Sequence, residues 1–181
     1  SAMIESGAWN DNIITDYLDQ AVLTAPDSVA VIAYRVNEDE RLAFSYRELD
    51  HLVTRMAAGL AGLGVAKSDV VSCQLPNGWQ ITALHLACVR IGAILNPLMP
   101  IFRERELAFM LGHAQSRVLV IPHHFRGFDY AAMVHGMRGE LPALEHVLVI
   151  GGDHSADGFE QVLLQRAWEE ETDTAALFAE R

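Results

Sequence analysis

Short apolar runs that read as strands alternate with longer segments patterned for helices, and this alternation limits the fold more than any other feature of the chain. "DVVSCQL" precedes "WQITALHLACVRIG", "AILNP" precedes "RERELAFMLGHA", "RVLVIP" precedes "FDYAAMVHGM", and "HVLVIGG" precedes "FEQVLLQRAW". Strands and helices in this order are joined by right-handed crossovers, which build a mostly parallel sheet with helices on both faces. The expected fold class is therefore α/β.

A different pattern comes first. "SVAVIAYRV" and "RLAFSY" read as two strands of a hairpin turned at "NEDE". Ser45 then offers an N-cap with Glu48 three residues on, the spacing of a reciprocal capping box. Leu49, Leu52, Val53, Met56, Leu60 and Leu63 follow at helical spacing, and Gly64 is placed to end the helix in a left-handed cap. Pro76, Asn77 and Gly78 predict a turn. The helix from Trp79 to Ile91 is apolar on nearly every side, so it should be covered by the sheet and by a second layer of protein. In "VRIGAILNPLMP", Gly92 lets that helix turn into its strand, while Pro97 and Pro100 fix an extended exit. "WEEETDT" reads as a solvated helix end or linker.

With 181 residues, 51% of them hydrophobic, the chain can bury one core. Residues 1–3 read as a cleaved-tag remnant and the starting methionine, and residues 4–181 as a single domain. The formal charge of -11 opposes nucleic-acid phosphate and anionic membrane surfaces alike. No run approaches the roughly 20 apolar residues of a spanning helix, and no basic-then-apolar leader is visible, so a cytoplasmic location is expected. Cys73 and Cys88 lie in apolar runs and read as reduced, buried thiols.

The sequence offers little that carries chemistry. The glycines of "GLAGLG" fall at a helix end, whereas a phosphate cradle needs them after a strand and opening a helix. Lys67, the only lysine, stands in a turn before a strand without a glycine-rich loop. No serine has the G-x-S-x-G setting of an α/β hydrolase. His123 with His124, and His85 with Cys88, lack a second ligand pair at zinc-like spacing, and adjacent histidines seldom point at one ion. Asp153 and Asp157 read as a surface loop with too few oxygen ligands for calcium. No catalytic, cofactor-binding or metal-ligating residue is expected.

Taken in order, "FSYREL", "GVAKSDVVSCQLPN", "VRIGAILNPLMP" and "RVLVIP" resemble the N-terminal part of the adenylate-forming ligases, the superfamily of AMP-dependent acyl-CoA synthetases. Ser68 stands where that family commonly has glycine. The resemblance implies a parent enzyme that uses ATP and magnesium to convert a carboxylic acid into an acyl-adenylate, then passes the acyl group to coenzyme A. A medium-chain, alicyclic or aromatic acid is the implied substrate. It further implies an N-terminal fragment cut before the family's phosphate loop, since Lys67 matches neither family lysine. Such a fragment should be inactive alone, should partner the remainder of its own polypeptide, and should self-associate if its apolar helix is left bare. The rival readings are a self-contained flavodoxin-like binding module without catalysis and a small nucleotide-dependent enzyme.

Overall fold

A computed structural model of the chain describes residues 3, 6–7, 10–35, 40–152 and 158–179. Ser1 and Ala2 of the tag reading, most of the "NEDE" turn, and Asp153 and Asp157 lie outside the described residues.

Helix α1 (Ile14–Thr24) leads into an antiparallel hairpin of β1 (Val29–Arg35) and β2 (Glu40–Ser45), followed by α2 (Tyr46–Gly62). The capping box is formed: Ser45 Oγ accepts from the Glu48 amide at 3.3 Å, and Glu48 Oε2 accepts from the Ser45 amide at 2.8 Å. Leu49, Val53, Met56 and Leu60 are buried, as the spacing predicts, while Leu52 and Leu63 are half-buried. Gly64 has φ +85°, the left-handed conformation expected of it.

The main sheet comprises β3 (Val70–Cys73), β4 (Ile94–Pro97), β5 (Val118–Pro122) and β8 (His146–Ile150), all parallel, in the order β4-β3-β5-β8. Helix α3 (Trp79–Arg90) joins β3 to β4, and α4 (Glu104–Ala114) carries the chain back across to β5. A two-stranded turn, β6 (His124–Phe125) and β7 (Phe128–Asp129), then precedes α5 (Tyr130–Met137). The winding direction therefore reverses between β3 and β5. Strand β5 shows why helices occupy both faces. Side chains alternate along a strand, so Val118 and Val120 join Val71, Cys73 and Leu84 in one core, while Leu119 and Ile121 join Leu107, Leu111, Met133 and Val134 in the other.

Helix α3 has its predicted second layer, and this chain supplies it: α1, α2 and the β1–β2 hairpin pack against the helix. Ala83, Leu84, Leu86, Ala87 and Cys88 are buried, while the exposed positions are the polar Thr82 and His85. The helix is thus not bare, and the stated cause for self-association is removed.

The C-terminal segment also departs from expectation. "FEQVLLQRAW" is not one amphipathic helix: a π-type turn covers Gln161–Gln165, the chain extends at Arg166, and short helices α6 (Trp168–Glu171) and α7 (Thr174–Ala179) follow. The break lets the Trp168 indole settle against Gly59 and Gly62 of α2, with its Nε1 donating to the Val162 carbonyl at 2.5 Å. "WEEETDT" is not simply solvated either, because Glu169 accepts from Arg55 Nε at 2.9 and 3.0 Å and its side chain is only 16% exposed.

Candidate functional site

Open parallel sheets bind ligands beyond the carboxyl ends of their strands where the winding reverses. Here that position lies past Cys73 of β3 and Pro122 of β5. It is bordered by the turn Pro76–Gly78, the segment Met99–Phe102 leaving β4, and the β6–β7 turn.

Gln74 continues β3, its amide donating to the Val120 carbonyl at 2.9 Å. Its side chain is fully buried, and Nε2 donates to the carbonyls of Met99 at 3.1 Å and Phe102 at 2.9 Å. Gln74 Oε1 is buried without a hydrogen-bond partner among the described residues. The Pro100 carbonyl accepts from Tyr130 Oη and from Arg103 Nη1, both at 2.7 Å, and the Arg103 guanidinium lies 4.0 Å from the Phe128 ring centre. The stiffness written into "NPLMP" is thus completed by side-chain donors from β3, from α5 and from the residue that caps α4.

The sequence candidates are dispersed except at one place. Lys67 is exposed in the turn before β3, at the opposite edge of the sheet. His85 is exposed on α3 whereas Cys88 is fully buried, so the two do not face a common ion. Burial pushes the Cys73 thiol up to about 11 and raises Cys88 further, with Cys73 adding to the rise, so neither is a thiolate nucleophile at neutral pH.

His123 and His124 behave differently from expectation. Their ring centres lie 4.2 Å apart at 73°, and a ligating atom of each lies within 4.8 Å of the other and of an Asp129 carboxylate oxygen. Neighbouring side chains diverge inside a strand, but His123 sits in the bend between β5 and β6. Asp129 stands directly opposite His124 in the β6–β7 pairing, and its Oδ2 is 3.4 Å from His124 Nε2. Asp129 Oδ1 caps α5 by accepting from the Ala132 amide at 2.8 Å. That bond, followed by the charges of His124 and His123, holds the Asp129 carboxyl below its ordinary range. Sequence reasoning passed over Asp129, although "HHFRGFD" is compact enough for its ends to meet across a two-residue turn.

Residues 18–178 match the family model described as AMP-binding enzyme. The chain is 33% identical over 152 residues to the 2-hydroxy-7-methoxy-5-methyl-1-naphthoate–CoA ligase of Streptomyces carzinostaticus, covering 84% of this chain and 26% of that protein. It is 35% identical over 146 residues to the salicyl-AMP ligase / salicyl-S-ArCP synthetase of Mycobacterium tuberculosis, covering 81% and 26%. The apo structure of Mycobacterium smegmatis MbtA superposes with a TM-score of 0.75 at 30% identity, covering 91% of this chain and 29% of that one. The chain thus spans about a quarter of the length of the curated relatives it matches.

Proposed function

The chain belongs to the AMP-binding enzyme family, and from that premise we propose that it is the N-terminal part of an ATP-dependent acid–thiol ligase. The reaction class is activation of a carboxylate as its acyl-adenylate with release of pyrophosphate, then transfer of the acyl group to a thiol with release of AMP. The carrying observation is the family match, which runs through nearly every element from α1 to α7. Two relatives are named for aryl acids, a naphthoate and salicylate, so aryl carboxylates are the first substrates to offer. Coenzyme A is the proposed acceptor, as the first of these names has it.

The described residues do not fit a nucleotide triphosphate by themselves. The sole lysine lies at the wrong edge of the sheet, the Arg103 guanidinium is engaged by two backbone carbonyls and an aromatic face, and Arg126 in the β6–β7 turn lies 5.2 Å over the Phe125 ring with no glycine-rich cradle beside it. No catalytic step is therefore assigned to a residue of this segment. Its contribution is scaffold: a crossover sheet whose carboxyl edge is clamped by Gln74, Tyr130 and Arg103.

The test is pyrophosphate exchange into ATP with a panel of aryl and aliphatic acids, run on the product of the complete reading frame and on this chain alone. Acid-dependent exchange by the complete product, with this chain at the no-enzyme background, is the expected result. Exchange by this chain alone would show that the reacting groups lie within it, and no exchange by the complete product with any acid would overturn the ligase reading.

A further inference from the structure

We propose that His123, His124 and Asp129 form a binding site for a divalent first-row transition-metal ion of the zinc type, which clips the β6–β7 turn to the carboxyl end of β5.

The donors are right for such an ion. Two imidazoles and one carboxylate are the borderline-soft set that favours zinc, cobalt, nickel or copper over magnesium and calcium, whose sites are built from oxygen. Zinc holds nitrogen and oxygen ligands at about 2.0–2.2 Å, so donors around a tetrahedral ion stand about 3.3 Å apart. The His124 Nε2 to Asp129 Oδ2 separation of 3.4 Å already has that value. The remaining separations, none above 4.8 Å, close by rotation of side chains that are half-buried or exposed.

The backbone beneath the cluster is fixed. The His123 amide donates to the Ile150 carbonyl at 2.9 Å, and the Tyr130 amide donates to the His123 carbonyl at 3.0 Å. His124 and Asp129 are paired across β6 and β7, so the two strands cannot slide without breaking that register. Asp129 has one oxygen committed to the cap and the other turned toward the imidazoles, so metal binding costs the helix nothing. The cap bond also orients the carboxylate, as the outer partners of metal ligands commonly do. Three protein ligands leave at least one coordination position open for water or another small donor.

The test uses the purified chain, freed of metal with a chelator and dialysed, then titrated with zinc chloride by calorimetry and with cobalt(II) by visible absorption. The expected result is saturable binding of one ion, with a cobalt band intensity typical of low coordination number. Asp129→Asn keeps a good capping residue, and His124→Gln alters an exposed position, so both variants should fold. Each should weaken zinc binding by more than about tenfold, the lower end of what loss of ligand-shell support costs. Zinc should raise the melting temperature of the parent chain, and raise that of Asp129→Asn less at the same concentration. Absence of saturable zinc binding would overturn the proposal, and so would binding of undiminished strength in both variants, which would place the ion on other histidines.

Discussion

The Trp168 indole fills the space over Gly62: a β-carbon on Gly62 would lie 2.3 Å from Cζ3 and 2.7 Å from Cε3 of that ring. A β-carbon on Gly59, one turn earlier, would lie 2.9 Å from Leu163 Cδ2 and 3.0–3.1 Å from the same indole. Alanine is better than glycine in a helix interior by about 1 kcal/mol, but overpacking against a ring held by its Nε1 bond to the Val162 carbonyl costs about 1–3 kcal/mol. The clash wins at Gly62. Gly62→Ala should therefore lower the urea midpoint, and the loss should vanish when Trp168→Ala is made in the same chain. Additive effects of the two substitutions would refute the steric account.

Ser68 has φ +72°, in the turn that leads into β3. A left-handed conformation costs a non-glycine residue about 1–2 kcal/mol, partly offset by the greater freedom glycine gains in the unfolded chain. Ser68→Gly should stabilise by about 0.5–1 kcal/mol. Chemical denaturation of the two proteins side by side measures it, and an unchanged midpoint would contradict the strain.

Arg90, 4% exposed, is held by Asp19, Asp50 and Thr54 at 2.5–2.7 Å, tying α3 to α1 and α2. Removing the cation leaves two carboxylates that solvent partly reaches, which limits the penalty. Arg90→Ala should cost about 2–3 kcal/mol, below the roughly 3–5 kcal/mol of a fully buried broken pair. Asp50→Asn should cost about 1 kcal/mol, because Asp19 remains. Equal losses in the two variants would show that the pairs are not shared as described.

Arg55, chiefly through its hydrogen bonds, holds the Glu169 carboxyl below its ordinary value of 4.5. A depressed folded pKa means that the unfolded chain binds the proton more readily, so this contribution is present above about pH 4.5 and is lost as pH falls through the folded value. Unfolding free energy measured from pH 7 down to pH 3 should fall less steeply at the acid end for Glu169→Gln than for the parent. Identical slopes would show that the pair contributes nothing across that window.

These contacts mark the boundary of what the sequence discloses. Local signals were legible: the Ser45–Glu48 box, the left-handed Gly64, and "RVLVIP" as a strand, though its service to two cores was not. The strand order β4-β3-β5-β8 was not legible, because keeping every crossover right-handed sets the face each helix takes and not which strands pair. Gly62 read as part of a helix end because its partner is far along the chain, and helical periodicity carries no record of an indole arriving from residue 168. The same distance hid Arg55 with Glu169 and broke the expected final helix. At the candidate site, His123 and His124 were visible as residue types, but the bend that converges them and the two-residue turn that returns Asp129 are set by backbone geometry. Gln74 was missed for a related reason. A lone glutamine after an apolar strand has no sequence signature, and its role emerges only when the carbonyls of Met99 and Phe102 are folded onto it.

The clamp on the β4 exit should yield unequally to substitution, and the inequality tests how it works. Gln74 supplies both hydrogen bonds that reach the Met99 and Phe102 carbonyls from β3, and Gln74→Leu would leave the first with the Phe102 amide and the second with Arg103 Nη1. The variant also removes Oε1, which is buried unpaired and already costs stability. A net hydrogen bond contributes about 0.5–1.5 kcal/mol, so losing two while removing one orphaned acceptor should cost about 1–2 kcal/mol. Tyr130→Phe removes one donor from the Pro100 carbonyl, but Arg103 Nη1 still reaches it at 2.7 Å. That variant should lose less than about 1 kcal/mol, since one hydrogen bond is lost where Gln74→Leu loses two. Adding Arg103→Leu to Tyr130→Phe should cost more than the sum of the separate changes, because only the double variant leaves that carbonyl bare. Hydrogen exchange at the Phe102 amide, which donates to the Met99 carbonyl at 3.1 Å within the clamped turn, reports the same event locally. It should accelerate in Gln74→Leu and in the double variant, and stay near the parent rate in Tyr130→Phe. Acceleration in Tyr130→Phe equal to that in Gln74→Leu would show that the phenol, and not the buried amide, holds the exit.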